Sequence, residues 1–337
     1  MTREEGKSLV RTLSNGIAEY ATKYGIKNLV LGLSGGIDST LCAGLCWLAV
    51  RKARSEGHGL NLIGVSLPCK SNQEDEVSIA TLSGSFCDNF YEKNLEHLYL
   101  ETLEACQNRY FEDTNISKGN IKARLRMLYL YNLASISRGI VIDTDNLTEH
   151  YLGFWTLHGD EGDLNPIGLF WKTEVYELAE SLIECLLEIS REECVPIDDT
   201  LAGKTVNLSN TTMNRANMIT ALQHAIKITP TDGNGVAAGG DLAQIAPGKT
   251  YSDVDEILQQ VVYYIPKNEI RDKEERHSHK KLTDVYLKHG EETVDRVIDR
   301  MLGSEYKRMH RPLVLTLDGV AMENDSFEKI LRRENKI

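Results

Sequence analysis

The sequence has no long apolar run and carries more negative than positive charge. No segment approaches the roughly 20 consecutive apolar residues of a membrane helix, and the charged residues 1–8 lack the apolar core of a secretion signal. Lys and Arg number 38 against 50 Asp and Glu, so the net charge is −12. Nucleic-acid binding favours clustered Lys and Arg. We therefore expect neither a membrane nor a nucleic acid as a partner.

Cysteine is too irregularly spaced for a disulfide framework or a four-thiolate zinc site. The seven cysteines are an odd number, and no two of them stand at CxxC spacing. Reduced thiols in a cytoplasmic protein are the simplest interpretation. The 337 residues suffice for one large α/β domain, and the acidic balance is compatible with a small-molecule enzyme that handles divalent cations.

Apolar runs of strand type alternate with helical patterns along the first half of the chain. Helical spacing predicts helices at 4–24, 40–54, 73–87, 97–112, 119–138 and 172–189. Short apolar runs predict strands at 28–33, 60–67, 89–93 and 140–142. Because this alternation is typical of a parallel sheet, we predict an α/β fold with a parallel sheet flanked by helices in three layers.

The chain after residue 143 is richer in predicted loops. Residues 144–171 are rich in Gly, Asp and aromatics and predict a functional loop. Residues 190–250 predict an excursion from the core with a helical island at 213–227. Helices are predicted again at 252–263, capped by Ser252, and at 291–309. We interpret the chain as one domain, 1–337, with a core at 5–189, a mixed helical and loop insertion at 190–228, and lid and C-terminal helices at 229–337.

The segment after the first strand is the most informative one. The strand at 28–33 runs into SGGIDST, residues 34–40, and then into a helix. Glycines let backbone N–H groups approach phosphate oxygens, and a helix N-terminus favours anions. The negative charge of Asp38 would repel phosphate, but its carboxylate is a suitable ligand for a Mg²⁺ ion that a nucleotide carries. The predicted ATP-binding residues of this segment are Ser34, Gly35, Gly36, Asp38, Ser39 and Thr40.

This segment lacks the Lys of the GxxxxGK[ST] loop, and it resembles the PP-loop of ATP pyrophosphatases, which transfer AMP. Two further blocks choose among the families with this loop. Residues 118–127, KGNIKARLRM, resemble the NAD synthetase segment G-N-x-x-A-R-x-R-M, whose basic residues suit an anionic substrate. Residues 143–172 resemble G-T-x-N-x-x-E…G-[FY]-x-T-x-x-G-D…D-x-x-P…K of the same family. The chain is thus similar to the ammonia-dependent NAD synthetases, more weakly also at 230–232, 251–257 and 305–308.

The resemblance implies a Rossmann-like fold of the adenine-nucleotide alpha-hydrolase type and a reaction. In that reaction deamido-NAD is amidated to NAD with ammonia and ATP through an adenylated intermediate, with release of AMP and pyrophosphate. The implied Mg²⁺ ligands are Asp38 and Glu149. The implied ATP contacts outside the loop are Thr144 and Asn146. The implied deamido-NAD contacts are Asn120, Arg124, Asp163 and Lys172, and the implied catalytic residues are Asp38, Asp160 and Lys172. The family is typically homodimeric.

Glutamine-using members carry a long N-terminal amidase domain. Because the loop begins at residue 34, we expect free ammonia or a separate glutaminase. Several positions depart from the family pattern: Asp143 replaces a Gly and is expected to put a negative charge beside the nucleotide, Leu157 and Ser66 replace basic residues, and the loop at 159–163 is one residue shorter. The alternatives are another amidating or thiolating enzyme that transfers AMP, or an inactive nucleotide-binding relative.

Overall fold

Helices form most of the chain and surround two small sheets. The computed structural model describes residues 1–70, 74–189, 215–228, 241–309, 313–315 and 321–322. The helices are α1 (Arg3–Lys23), α2 (Ile37–Ser55), α3 (Glu74–Ser83), α4 (Glu96–Ala105), α5 (Asn115–Ser137), α6 (Leu147–Leu152), α7 (Lys172–Glu188), α8 (Arg215–Lys227), α9 (Asp241–Ile245), α10 (Tyr251–Tyr264), α11 (Lys267–Arg271), α12 (Lys273–Ser278), α13 (Thr283–His289) and α14 (Glu291–Gly303). The strands are β1 (Asn28–Gly32), β2 (Asn61–Ser66), β3 (Asn89–Glu92), β4 (Gly139–Val141), β5 (Leu164–Asn165), β6 (Leu313–Leu315) and β7 (Ala321–Met322).

The main sheet has the order β3-β2-β1-β4, and all its strands are parallel. This confirms the predicted α/β class and the four predicted strands. A bridge between Ile142 and Leu164 leads to the second sheet, β5-β6-β7. Successive strands run outwards from β1 to β3, and β4 then lies on the other side of β1. The carboxyl ends of β1 and β4 therefore form a topological switch point, where open α/β sheets bind their ligands.

Helices cover both faces of the main sheet, which confirms the three layers. Leu29 and Leu31 of β1 pack into a core shared with α1, α2 and α7, whereas Val30 faces α5 on the other side. Both sets are fully buried, and each such side chain stabilises the fold by about 1.5–3 kcal/mol. At Gly44 the helices α2 and α7 come so close that a Cβ would lie 2.3 Å from a methyl group of Leu182.

Capping residues set the helix starts. Helix α5 begins at Asn115 rather than residue 119, because Thr114 caps it, and three further differences from the prediction concern the helices of the site. Helix α2 begins at Ile37 rather than residue 40, because Gly36 takes the extended N-cap conformation. Helix α10 is capped by Thr250, with Asp253 completing a capping box, and not by Ser252. The third is α6 (Leu147–Leu152), which the sequence analysis assigned to a loop.

The helical island of the predicted insertion belongs to the main core. Helix α8 buries Met218 and Leu222 completely against the core built by α2 and α7. The rest of that insertion, 190–214, lies outside the described residues, as does 229–240, which holds part of the predicted lid. The predicted helix at 291–309 is α14 followed by a 3₁₀ helix, Glu305–Met309. None of the helices in the described ranges combines the length and apolar composition that crossing a membrane requires.

Candidate active site

A cavity of about 760 Å³ opens at the switch point, where β1, β2 and β4 end. Most of the predicted site residues lie in its wall although they come from five different parts of the chain. Those in the wall are Ser34, Gly35, Gly36, Asp38, Ser39, Asn120, Thr144, Glu149, Asp160 and Lys172. A cavity of this size matches the usual range for small-molecule sites.

The loop between β1 and α2 is folded on itself by its own serines. Gly35 has a φ of +88°, which favours glycine. The hydroxyl of Ser34 accepts a hydrogen bond from the N–H of Gly36 at 3.2 Å and lies 3.1 Å from the hydroxyl of Ser39. The N-cap residue Gly36 has no side chain that could cap α2. The first N–H groups of α2 have no partners within the helix, and Ile37, Asp38 and Ser39, which carry them, line the cavity. Such groups are suited to phosphate.

One ammonium group joins three helices beside this loop. Lys172, the first residue of α7, donates to Asp38 of α2 and, at 3.2 Å, to Glu149 of α6. Lys172 is 2% exposed, and the two carboxylates keep only 16% and 15% of their side-chain surface. Asn146 caps α6 and also donates to Asp38 at 3.0 Å. The buried charges are thus paired, as low dielectric surroundings require.

The two carboxylates keep Lys172 charged. Burial on its own lowers the pKa of a lysine, but the opposite charges of Asp38 and Glu149 outweigh it and raise the pKa of Lys172 well above its usual value. An ammonium with a raised pKa is a fixed positive charge at neutral pH. It therefore cannot serve as a general base, but it can neutralise an anion that enters the cavity.

Asp38 and Glu149 also have the donor set and the arrangement that a divalent cation needs. Their oxygens converge on one point, which the ammonium of Lys172 occupies. Mg²⁺ prefers oxygen ligands and is commonly held by one or two carboxylates together with the phosphates of a nucleotide. The residues present therefore fit a cation that arrives with a nucleotide and competes with Lys172 for this point.

The opposite end of the cavity is built on residues 153–160. The N–H of Thr156 donates to Asp160 at 2.8 Å, and its hydroxyl donates to Asn120 at 2.9 Å. Burial raises the pKa of Asp160 above its usual value, although Arg126 and Lys307 pull it downwards. Burial and the charge of Arg300 lower the pKa of Lys307. The carboxylate of Asp160 thus feels the positive charges of Arg126 and Lys307.

Four predicted site residues do not line the cavity. Thr40 is fully buried, and its hydroxyl lies 3.0 Å from that of Ser83. Asn146 is likewise buried and acts through Asp38 and the cap of α6. Arg124 is exposed and donates to the carbonyl of Leu157 at 3.3 Å. Asp163 accepts hydrogen bonds from the N–H of Val141 and the hydroxyl of Tyr131.

Asp143 is held by main-chain donors. Its side chain is 1% exposed and does not line the cavity. One carboxylate oxygen accepts from the N–H of Asp145 at 2.7 Å and the other from Gly162 at 3.1 Å. A Cβ at Gly162 would lie 2.6 Å from the backbone nitrogen of Asp143, so only glycine allows this approach.

The cavity wall also holds residues that were not among the predicted site residues, and three of them are Arg126, Lys307 and Tyr251. Arg126 donates to the carbonyl of Leu67 at 3.1 Å and so lies at the end of β2, beside Ser66. Its signal was present in the block at 118–127, where alternate positions point to different sides of a helix. The other two are Lys307 and Tyr251, whose ring lies 5.6 Å from the ammonium of Lys172. Their segments resemble the family only weakly, so sequence alone did not single them out.

The chain is similar in sequence to known proteins. A sequence model described as NAD synthase matches residues 9–191, more than half of the chain. The chain is similar to the NH(3)-dependent NAD(+) synthetase of Wolinella succinogenes, with 34% identity over 187 residues, 54% of this chain and 67% of that protein. It is also similar to the Helicobacter pylori protein of the same name, with 34% identity over 182 residues, 53% of this chain and 65% of that protein. The chain thus spans about two thirds of the length of these relatives.

A solved structure extends the likeness beyond the matched segment. The NMN synthetase from Francisella tularensis superposes with a TM-score of 0.60 over 91% of this chain and 96% of that chain. The sequence identity is 24%, so this likeness concerns the fold.

We predict that removing the ammonium of Lys172 destabilises the protein strongly. The variant Lys172→Met leaves two buried carboxylates uncompensated, which costs about 3–5 kcal/mol. Urea unfolding in the presence of a chelator measures this loss. The matched control is Lys52→Met, because Lys52 pairs with Glu56 on the surface and such pairs contribute at most about 1 kcal/mol. Adding Asp38→Asn and Glu149→Gln to Lys172→Met should recover most of the stability. Equal losses for Lys172→Met and Lys52→Met would contradict the prediction.

Proposed function

The chain belongs to the NAD synthase family, and we propose that it uses ATP and ammonia to convert the carboxylate of deamido-NAD into the carboxamide of NAD. The observation that carries this proposal is the joint position of two groups in one cavity. The N-terminus of α2 offers N–H groups to phosphates, and Lys172 lies beside it between Asp38 and Glu149. Transfer of AMP to a carboxylate needs both an anion cradle and local positive charge.

In the first step of the proposed reaction, an oxygen of the nicotinate carboxylate attacks the α-phosphorus of ATP. A C–O–P linkage forms, the bond between the α-phosphorus and its bridging oxygen breaks, and pyrophosphate leaves. Carboxylate and triphosphate repel each other, so the approach requires neutralisation. The ammonium of Lys172 and the N–H groups at the start of α2 supply it, and the loop at 34–39 receives the departing pyrophosphate.

We further propose that Asp38 and Glu149 hold the Mg²⁺ that accompanies ATP. When bound, the ion neutralises charge that develops on the phosphate oxygens. The carboxylates contribute hard oxygen ligands, and Asn146 orients Asp38 by its hydrogen bond. The ammonium of Lys172, which lies beside both carboxylates, would add a further positive charge for the phosphates.

In the second step, ammonia attacks the carbonyl carbon of the acyl-adenylate. A C–N bond forms, AMP leaves with the former carboxylate oxygen, and the nitrogen gives up a proton. We assign the proton to Asp160, since it lines the cavity and burial raises the pKa of its carboxyl. A carboxylate whose pKa is raised towards the working pH is a better proton acceptor. Water would hydrolyse the intermediate and must be excluded.

The experiment that tests the reaction supplies purified protein with deamido-NAD, ATP, Mg²⁺ and ammonium. We expect NAD, AMP and pyrophosphate in equal amounts, and none of them without ammonium. Glutamine in place of ammonium tests the ammonia assignment, and nicotinate mononucleotide, which carries the same carboxylate, tests the substrate. Pyrophosphate release that deamido-NAD does not stimulate would point to a different AMP-transferring enzyme. A folded protein that binds ATP and releases no pyrophosphate would be an inactive relative.

The variants Asp38→Asn and Glu149→Gln test the metal assignment. Each removes one negative oxygen ligand but keeps the shape, so we expect kcat to fall about 100-fold or more and the Mg²⁺ concentration for half-maximal rate to rise. Glu104→Gln is the matched control, because Glu104 is exposed on α4 far from the cavity wall. Near-normal turnover and an unchanged Mg²⁺ requirement in either variant would refute the assignment.

A homodimer is part of the proposal, and the outer side of α5 supports it. Exposed residues recur there every four positions, and two of them are the apolar Leu128 and Ile136, which are 60% and 73% exposed. A second copy of the chain would remove this apolar surface from water. We expect sedimentation velocity to show a dimer and the double variant Leu128→Glu/Ile136→Glu to show a monomer. Leu287→Glu, at a site 80% exposed on α13, should stay dimeric. A wild-type monomer would exclude this assembly.

The cysteines support a cytoplasmic location for the proposed enzyme. Six of them lie in the described residues and are free thiols, five of them buried. Thiols persist in reducing compartments, whereas exported proteins commonly pair them.

A further inference from the structure

A buried carboxylate lies on α10, outside the cavity wall. Asp255 of α10 is 1% exposed and does not line the cavity. One of its oxygens accepts a hydrogen bond from the hydroxyl of Thr148 at 2.5 Å, and the other accepts one from the N–H of Thr173 at 2.9 Å. A carboxylate that is withdrawn from water needs such donors.

These contacts end at the start of α7. The hydroxyl of Thr148 accepts a hydrogen bond from the N–H of Lys172 at 2.9 Å. Lys172 and Thr173 are the first two residues of α7, so their N–H groups have no partners within the helix. Asp255 satisfies one of them directly and the other through Thr148, and its negative charge suits a helix N-terminus. The backbone that carries Lys172 is thereby fixed from α10.

The same contacts also hold the backbone next to Glu149, the second carboxylate that pairs with Lys172. Thr148 immediately precedes Glu149 in α6, and Glu149 accepts from the ammonium of Lys172. A single carboxylate thus holds the residue next to Glu149 and the main chain of Lys172. The side chains that meet in the cavity have their backbones tied together behind it.

Burial raises the pKa of Asp255 to about 6, and the donors Thr148 and Thr173 act against that rise. At neutral pH the group is therefore mostly a carboxylate and accepts both hydrogen bonds. Burial disfavours the charged form of Asp255, and the hydroxyl of Thr148 and the N–H of Thr173 at the start of α7 stabilise it.

We propose that Asp255 is a positioning residue that sets the distance between Lys172 and Glu149 through Thr148 and the first turn of α7, without touching substrate. The proposal rests on the function proposed above. It predicts that the link from α10 matters to turnover more than to substrate binding.

The test compares Asp255→Asn, Thr148→Val and Thr148→Ser with the wild type. Thr148→Val keeps the shape and removes the hydroxyl, so we expect kcat to fall about 10- to 100-fold, as for other groups that orient an active-site residue. The KM for ATP and for deamido-NAD should stay within about twofold, since the cavity wall is unchanged. Thr148→Ser restores the hydroxyl and should restore most of kcat. Glu256→Gln, which changes the neighbouring residue on α10 paired with Lys288, is the matched control and should turn over normally.

A double-mutant cycle on urea unfolding makes the test independent of turnover. If Asp255 and Thr148 interact as proposed, the destabilisation by Asp255→Asn and Thr148→Val together is smaller than the sum of the two single effects. An inactive wild type with this coupling intact would refute the proposed function and leave the contact standing. Folded Thr148→Val and Asp255→Asn proteins with wild-type kcat would overturn the positioning role, as would a Thr148→Ser protein no better than Thr148→Val.

Discussion

The site depends on one ammonium group shared by two carboxylates. Each of the three charged residues lies in the first turn of a helix: Lys172 in α7, Asp38 in α2 and Glu149 in α6. Their contact therefore brings three helix starts to one point. Burying charges costs desolvation, and replacing a buried ion pair by apolar residues of similar volume is often neutral or stabilising in proteins. The arrangement is therefore explained by what it does with anions and cations rather than by the stability of the fold.

The fold delivers these helix starts to the carboxyl ends of parallel strands. Helix α2 follows β1, and α6 follows β4, so the switch point sets Asp38 beside Asn146. The far end of the same cavity depends on the C-terminal helices. Arg300 and Lys307 donate to the carbonyls of Leu152 and Gly153, where α6 ends and leaves carbonyls without helical partners. Both ends of this six-residue helix are thus held by side chains, one from its own cap and the other from residues about 150 positions away.

Local sequence patterns predicted the fold and most of the residues that line the cavity, and contacts with distant residues limited the prediction of the others. The loop at 34–39 is closed by its own serines, so a contiguous pattern contains the information. Thr40 is predicted to contact ATP because its hydroxyl follows that of Ser39, but α2 begins three residues earlier than predicted. One step along the helix turns a side chain by about 100°, and Thr40 meets Ser83 instead. The same geometry separates Arg124 from Arg126. The two residues are two positions apart on α5, so Arg124 is exposed whereas Arg126 lines the cavity.

Asp143 and the short loop at 159–163 are best understood as one change rather than two. The carboxylate of Asp143 accepts from the N–H of Gly162, nineteen positions further along the chain, and holds that loop against the end of β4. A glycine at 143 could not do so, and a loop drawn in this closely needs glycine at 162, where a Cβ would strike backbone atoms. The carboxylate of Asp143 does not line the cavity. A departure that left room for an inactive relative thus has a structural role, because it braces the loop that carries Asp160.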